Sequence, residues 1–229
     1  MKFATLIPNQ KQASWGWRYL AFEVVFLGYF LSIAIRFFNI PWGNAELNLV
    51  YFFLNFVAAM VIFRHFLVST VKLIPQRIGA ILITAVAGFF AYQVLSTLVS
   101  MGIIFIEPDF FNVNNENLSS ISQKYYWPTA IATVVLVPIT EELLHRGAIF
   151  GGLYRKNRIA AYAVSTLVFA LVHITAYVGY FEPKTLLLCY LQYIPAGLCL
   201  AAAYDITGCI ATPILIHAAI NAVGILAMR

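Results

Sequence analysis

Residues 127–151 read WPTAIATVVLVPITEELLHRGAIFG. A helix of this length crosses a hydrocarbon core of about 30 Å, yet it carries Glu141, Glu142, His145 and Arg146 within six positions. An ionisable group near the bilayer centre costs at least about 2.5–3.5 kcal/mol. Four of them in one stretch persist only where they meet partners or a hydrated cleft. This helix therefore belongs inside a bundle rather than against lipid.

The rest of the chain supplies the bundle. Hydrophobic residues make up 62% of it and charged residues 10%, where a soluble domain carries about 25% charged residues. The mean hydropathy is +0.85. Apolar runs at roughly 19–38, 47–68, 78–106, 158–178, 184–204 and 209–227 join 127–151. Together they predict an all-α, polytopic transmembrane helix bundle of about seven spans. The run 78–106 is long for one crossing, which predicts a tilt or a bent end. The run 19–38 is too long for the apolar core of a signal peptide and is bracketed by Arg18 and Arg36, so it reads as a retained anchor.

Basic residues set the orientation. Lys2, Lys11, Arg18, Arg64, Lys72, Arg77, Arg155, Lys156 and Arg158 fall on one side of a seven-span chain; Arg36, Lys124, Lys184 and Arg229 fall on the other. Nine against four places the N-terminus in the cytoplasm. The net charge of +5 is mostly this topology signal, and no basic stripe outside the short loops supports nucleic-acid binding. Cys189, Cys199 and Cys209 lie too far apart for a metal knuckle and read as small buried hydrophobes.

Three regions follow. Residues 1–106 form a three-helix membrane region with little chemistry inside its spans. Glu23 and Arg18 read as lying near the cytoplasmic end of the first span, paired with each other or reaching the interface. Residues 107–126 (EPDFFNVNNENLSSISQKYY) are the one long polar stretch, read as a plain extracytoplasmic loop, with a lid or interfacial segment as the alternative. Residues 127–229 form a four-helix region that holds nearly every ionisable group at membrane depth. Trp15, Trp17, Trp42 and Trp127 fall at span ends, where interfacial anchors sit.

Helical geometry sorts the polar groups of 127–151. Glu142 and Arg146 are i,i+4 neighbours with the acid N-terminal, the favourable order for an ion pair. Glu141 lies about 100° round the helix, with His145 as its own i+4 neighbour, and is left freer for chemistry. The fifth span offers Phe169 and His173, and the seventh stacks His217 and Asn221 at i,i+4. Each group alone reads as a satisfied core residue or interhelical glue. Three neighbouring spans with polar groups at compatible depth read as one site. Pro138 and Pro213 precede two of the motifs, where a kink can open a cleft. Asp205 ends the sixth span and reads as a local cap.

Glu-Glu-x-x-x-Arg at 141–146, Phe-x-x-x-His at 169–173 and His-x-x-x-Asn at 217–221, in that order on successive spans, resemble the CPBP intramembrane proteases. That group includes the type II CAAX prenyl proteases (Rce1-like) and the bacterial Abi proteins. The resemblance covers about 127–225, and Tyr204-Asp205-Ile206-Thr207-Gly208 looks like the family's stretch before its last motif. His145 departs from it, since an aromatic residue commonly precedes the arginine.

The resemblance implies an intramembrane endopeptidase of the glutamate type, acting on a membrane-associated or lipidated peptide or protein. It implies Glu141 as general base assisted by His173, His217 and Asn221 as oxyanion donors, and no cofactor. Glu142 and Arg146 support them. One alternative is a zinc-dependent protease in which Glu141, His173 and His217 ligate the metal, although the usual His-Glu-x-x-His helix is absent. Another is a non-catalytic membrane scaffold or transporter using the same cluster. Short loops suggest a multi-pass protein of a prokaryotic plasma membrane.

Overall fold

A computed structural model describes residues 3–228; Lys2 and Arg229 of the charge count lie outside the described residues. Seven helices hold nearly all of them: α1 Gln10–Phe37, α2 Asn44–Ile106, α3 Val113–Lys124, α4 Tyr126–Tyr154, α5 Arg158–Thr175, α6 Pro183–Thr207 and α7 Ala211–Ala227. The ends follow local rules. Asn9 opens α1 with a reciprocal capping box to Gln12, and Asn112 and Asn157 cap α3 and α5. At the close of α6, Gly208 adopts φ +62° and lies so close to Ala4 and the Arg77 guanidinium that a Cβ would collide with both. Glycine meets both demands there.

Five of these helices, α1, α2, α4, α5 and α6, are long and apolar enough to cross a membrane, and α7 is a shorter apolar helix. Two of the expected spans, 47–68 and 78–106, are joined in α2, a helix of 63 residues. The sequence predicted a loop around Arg64, Lys72 and Arg77. The chain instead stays helical through Pro75.

Straight, α2 would measure about 95 Å, three times the hydrocarbon core. It is not straight. Glu46, near its start, pairs with Lys124 at 2.6 Å. The path from Glu107 through α3 to that ion pair spans at most about 50 Å. The helix therefore turns back on itself, and Pro75 supplies the break by removing one backbone donor. The first arm runs antiparallel to α1, through Gln12–Ile62 at 3.2 Å and Tyr19–Asn55 at 2.5 Å. The second runs antiparallel to α6, through Arg77–Thr207 at 2.7 Å, Ser100–Gln192 at 3.3 Å and the Glu107–Lys184 ion pair.

Burial grades the helices. In the most apolar stretch of α4 and α6, 44% and 56% of residues are buried, against 11% in α1 and 6% in α2. So α4 and α6 form the centre, while Phe26, Phe30, Phe53, Phe90 and other large apolar side chains of the first two helices face outward. The core packs Phe63 and Phe66 of α2 against Leu143, Leu144 and Phe150 of α4 and Tyr204 of α6. The stretch 107–126, predicted as a plain loop, contains α3.

Cysteine labelling tests the folded-back α2. In a background lacking the native cysteines, Lys72→Cys and Lys156→Cys should react with an impermeant maleimide from one face of the membrane. Asn44→Cys and Asp109→Cys should react from the other. Labelling of positions 44 and 72 from the same face would exclude the arrangement.

Candidate active site

The chemistry of the site begins with a distortion of α4. Pro138 lacks the N–H that would bind the carbonyl four residues earlier, at Val134, and the surrounding turn Ala132–Leu136 widens into a π-helix. A second π segment, Leu143–Phe150, follows the two glutamates, and every residue of it is buried. Glu141 and Glu142 thus sit on a short α-helical step between two widened turns.

Glu142 and Arg146 pair as their spacing predicts. Arg146 Nη1 donates to Glu142 Oε1 at 3.1 Å, and both side chains are fully buried. Arg146 Nη2 donates to the Gly197 carbonyl of α6 at 2.9 Å. Its guanidinium lies 4.6 Å over the Phe169 ring of α5, a cation–π contact. Phe169 also meets the His145, His173 and His217 rings at 5.2, 4.6 and 5.8 Å between centroids. The aromatic residue of the second motif is thus the surface against which the site's cations and imidazoles pack.

The histidines have defined proton positions. His217 Nδ1 lies 2.8 Å from Glu142 Oε1, and His173 Nδ1 lies 2.7 Å from the Phe169 carbonyl. Ionised carboxylates and carbonyls only accept, so both Nδ1 atoms carry the proton. In the neutral rings each Nε2 then presents a lone pair. Both face Glu141 Oε2, at 3.8 Å from His173 and 3.9 Å from His217. That oxygen accepts no hydrogen bond from the described residues. Three acceptors from α4, α5 and α7 converge on one point.

Asn221 does not join this convergence directly. Its amide Nδ2 donates to the Thr133 carbonyl at 2.7 Å, in the first π segment. His145 turns to the backbone. Its Nδ1 bonds the Glu141 backbone carbonyl at 2.8 Å rather than the carboxylate.

A metal would need these acceptors closer together. Tetrahedral zinc with ligands at 2.0–2.1 Å holds them about 3.4 Å apart, while a water donating to two acceptors holds them about 4.4 Å apart. The observed separations lie between. No group of three His, Cys, Asp or Glu side chains spaced to hold a metal ion occurs among the described residues. The donor chemistry suits zinc but the spacing does not.

Residues 123–223 match the family model for Rce1-like type II CAAX prenyl endopeptidases. This part of the chain is similar to that family. It is the family that the three motifs resemble. No curated protein and no solved structure matches the chain.

Two acidic residues depart from their sequence readings. Asp205, read as a local cap, is fully buried at the end of α6 of the matched segment. It accepts from Tyr154 at 2.6 Å, Tyr162 at 2.9 Å and Arg158 Nε at 2.8 Å, fastening α4, α5 and α6 together. Glu23 lies outside the matched segment. It is 7% exposed, opens a π segment of α1 and accepts from the Tyr51 hydroxyl at 3.4 Å. The Arg18 guanidinium instead lies over the Trp15 ring. A lone carboxylate in an apolar span was the available signal; its partner on α2 was not.

Removing one member of a buried pair leaves the other charge uncompensated, at about 3–5 kcal/mol. Arg146→Met should lower unfolding stability in detergent by that amount, and adding Glu142→Gln should restore part of it. An Arg146→Met protein as stable as the parent would show that the pair does not hold the helices.

Proposed function

We propose that the chain is an intramembrane endopeptidase that hydrolyses a peptide bond of a membrane-associated or lipidated substrate, with Glu141 activating the water. The observation that carries this is the convergence of Glu141 Oε2 with two imidazole lone pairs at 3.8 and 3.9 Å, within the segment that matches the endopeptidase family.

A water at that point donates one hydrogen to Glu141 and one to His173, which turns its own lone pairs toward a substrate carbonyl. As the new C–O bond forms, Glu141 takes the water proton. The carbonyl oxygen becomes an oxyanion. A proton taken up with the substrate puts an N–H on His217 Nε2, which donates to the oxyanion, and the Glu142 carboxylate at Nδ1 supports the resulting imidazolium. Asn221 adds the second hydrogen of its amide, the first being held by Thr133. Glu141 then passes its proton to the leaving nitrogen, the C–N bond breaks, and the second water hydrogen passes through His173 to the amine, so that a carboxylate and an ammonium depart. The short loops and the basic N-terminal side support a multi-pass protein of a prokaryotic plasma membrane.

Purified protein in liposomes should cleave a prenylated peptide with a C-terminal tail or a transmembrane-helix peptide; both serve as probes. Glu141→Gln should abolish turnover while leaving the protein folded, and wild-type turnover in that variant would reject the mechanism. A scaffold or transporter would show no cleavage of either probe. Asn221→Ala should lower kcat about 10²–10³-fold, the worth of one oxyanion donor.

A zinc-dependent version draws on the same three acceptors, Glu141, His173 and His217. It predicts loss of cleavage on stringent chelation and one zinc per chain on elemental analysis. The metal-free mechanism predicts full activity after chelation.

A further inference from the structure

His173 is fixed along one direction by its bond to the Phe169 carbonyl, but that bond alone leaves the ring free to rock about it. A second aromatic ring limits this. Tyr193 of α6 stacks on the imidazole with centroids 4.0 Å apart and planes inclined by 26°. Tyr193 is itself held at its other end. Its hydroxyl donates to Asn112 Oδ1 at 3.3 Å and accepts from Asn114 Nδ2 at 3.1 Å. Asn114 Oδ1 accepts from Tyr177 at 3.2 Å.

Asn112 is a junction. Its Oδ1 caps α3 by accepting from the Asn114 and Asn115 backbone at 3.1 Å each, while its Nδ2 donates to Gln192 at 2.7 Å. Gln192 reaches on to Ser100 of α2. The start of α3 is therefore bolted to two successive residues of α6, and the second of them lies flat against His173.

We infer that Tyr193 is a positioning residue: its ring holds the His173 imidazole so that Nε2 faces Glu141, and its hydroxyl anchors that ring to the capped start of α3. None of the three sequence motifs contains Tyr193. It acts through His173 and needs no contact with substrate. The role rests on the hydrolytic reading of the site, so the test carries one arm that does not depend on cleavage.

In liposomes with the prenylated peptide, Tyr193→Leu should lower kcat about 30–100-fold with KM within about twofold, the scale of an ångström-sized misplacement. Tyr193→Phe keeps the stacked ring and should keep kcat within about threefold. A Tyr193→Leu enzyme with unchanged kcat, a Phe variant as impaired as the Leu variant, or a change in KM alone would overturn the inference. The independent arm is ring-nitrogen and proton NMR of the four histidines in detergent, with the His173 signals assigned by His173→Gln. The Leu variant should lose the ring-current shift of the His173 ring protons and the single Nδ1–H tautomer, and the Phe variant should keep both. An unchanged His173 spectrum in the Leu variant would overturn the positioning role even if proteolysis falls. Absence of cleavage of both probes by the wild-type protein would instead reject the hydrolytic reading and leave the NMR result standing.

Discussion

The Arg146–Glu142 pair is the constraint on which the rest of the structure hangs. Two charges taken out of water cost several kcal/mol each, offset only by good geometry and further hydrogen bonds. Both conditions bind other helices to this one. Arg146 takes the Gly197 carbonyl of α6 and the Phe169 face of α5, and Glu142 takes His217 of α7. Gly197 is part of the fit, because a Cβ there would press into Thr166 of α5 at 2.7 Å. Four helices are thus registered against one buried ion pair.

That registration sets the geometry of the site. With Glu142 occupied by Arg146 and His217, the neighbouring Glu141 is turned toward two imidazole lone pairs and keeps one carboxylate oxygen without a protein donor. The same ion pair orients the proton of His217. One glutamate is structural, which leaves the next free for the chemistry we propose, and the widened turns flank both. The Asp205 cluster fastens the far end of α4, α5 and α6, which keeps the central helices from sliding along one another.

Much of this was legible in the sequence wherever one helix contained both partners. Glu142 and Arg146 could be paired by their i,i+4 spacing, and the ordered motifs pointed to α4, α5 and α7. Spacing alone did not show that His145 meets the backbone carbonyl of residue 141. Charge at Arg64, Lys72 and Arg77 was read as a loop. Yet a helix can expose such residues on a bent turn without unwinding, and Pro75 breaks only one hydrogen bond. Glu23, Asp205 and Tyr193 were misread or passed over because what defines them is a partner on another helix: Tyr51, Arg158 with two tyrosines, and His173.

The central claim is that a water held by Glu141 attacks the peptide bond directly. Single-turnover cleavage of the prenylated probe in ¹⁸O-water, followed by mass spectrometry of both product and protein, tests it most directly. The account predicts one ¹⁸O atom in the new carboxylate of the product and none in the side chain of Glu141. Label in Glu141, which marks a covalent intermediate, or no cleavage at all would contradict it.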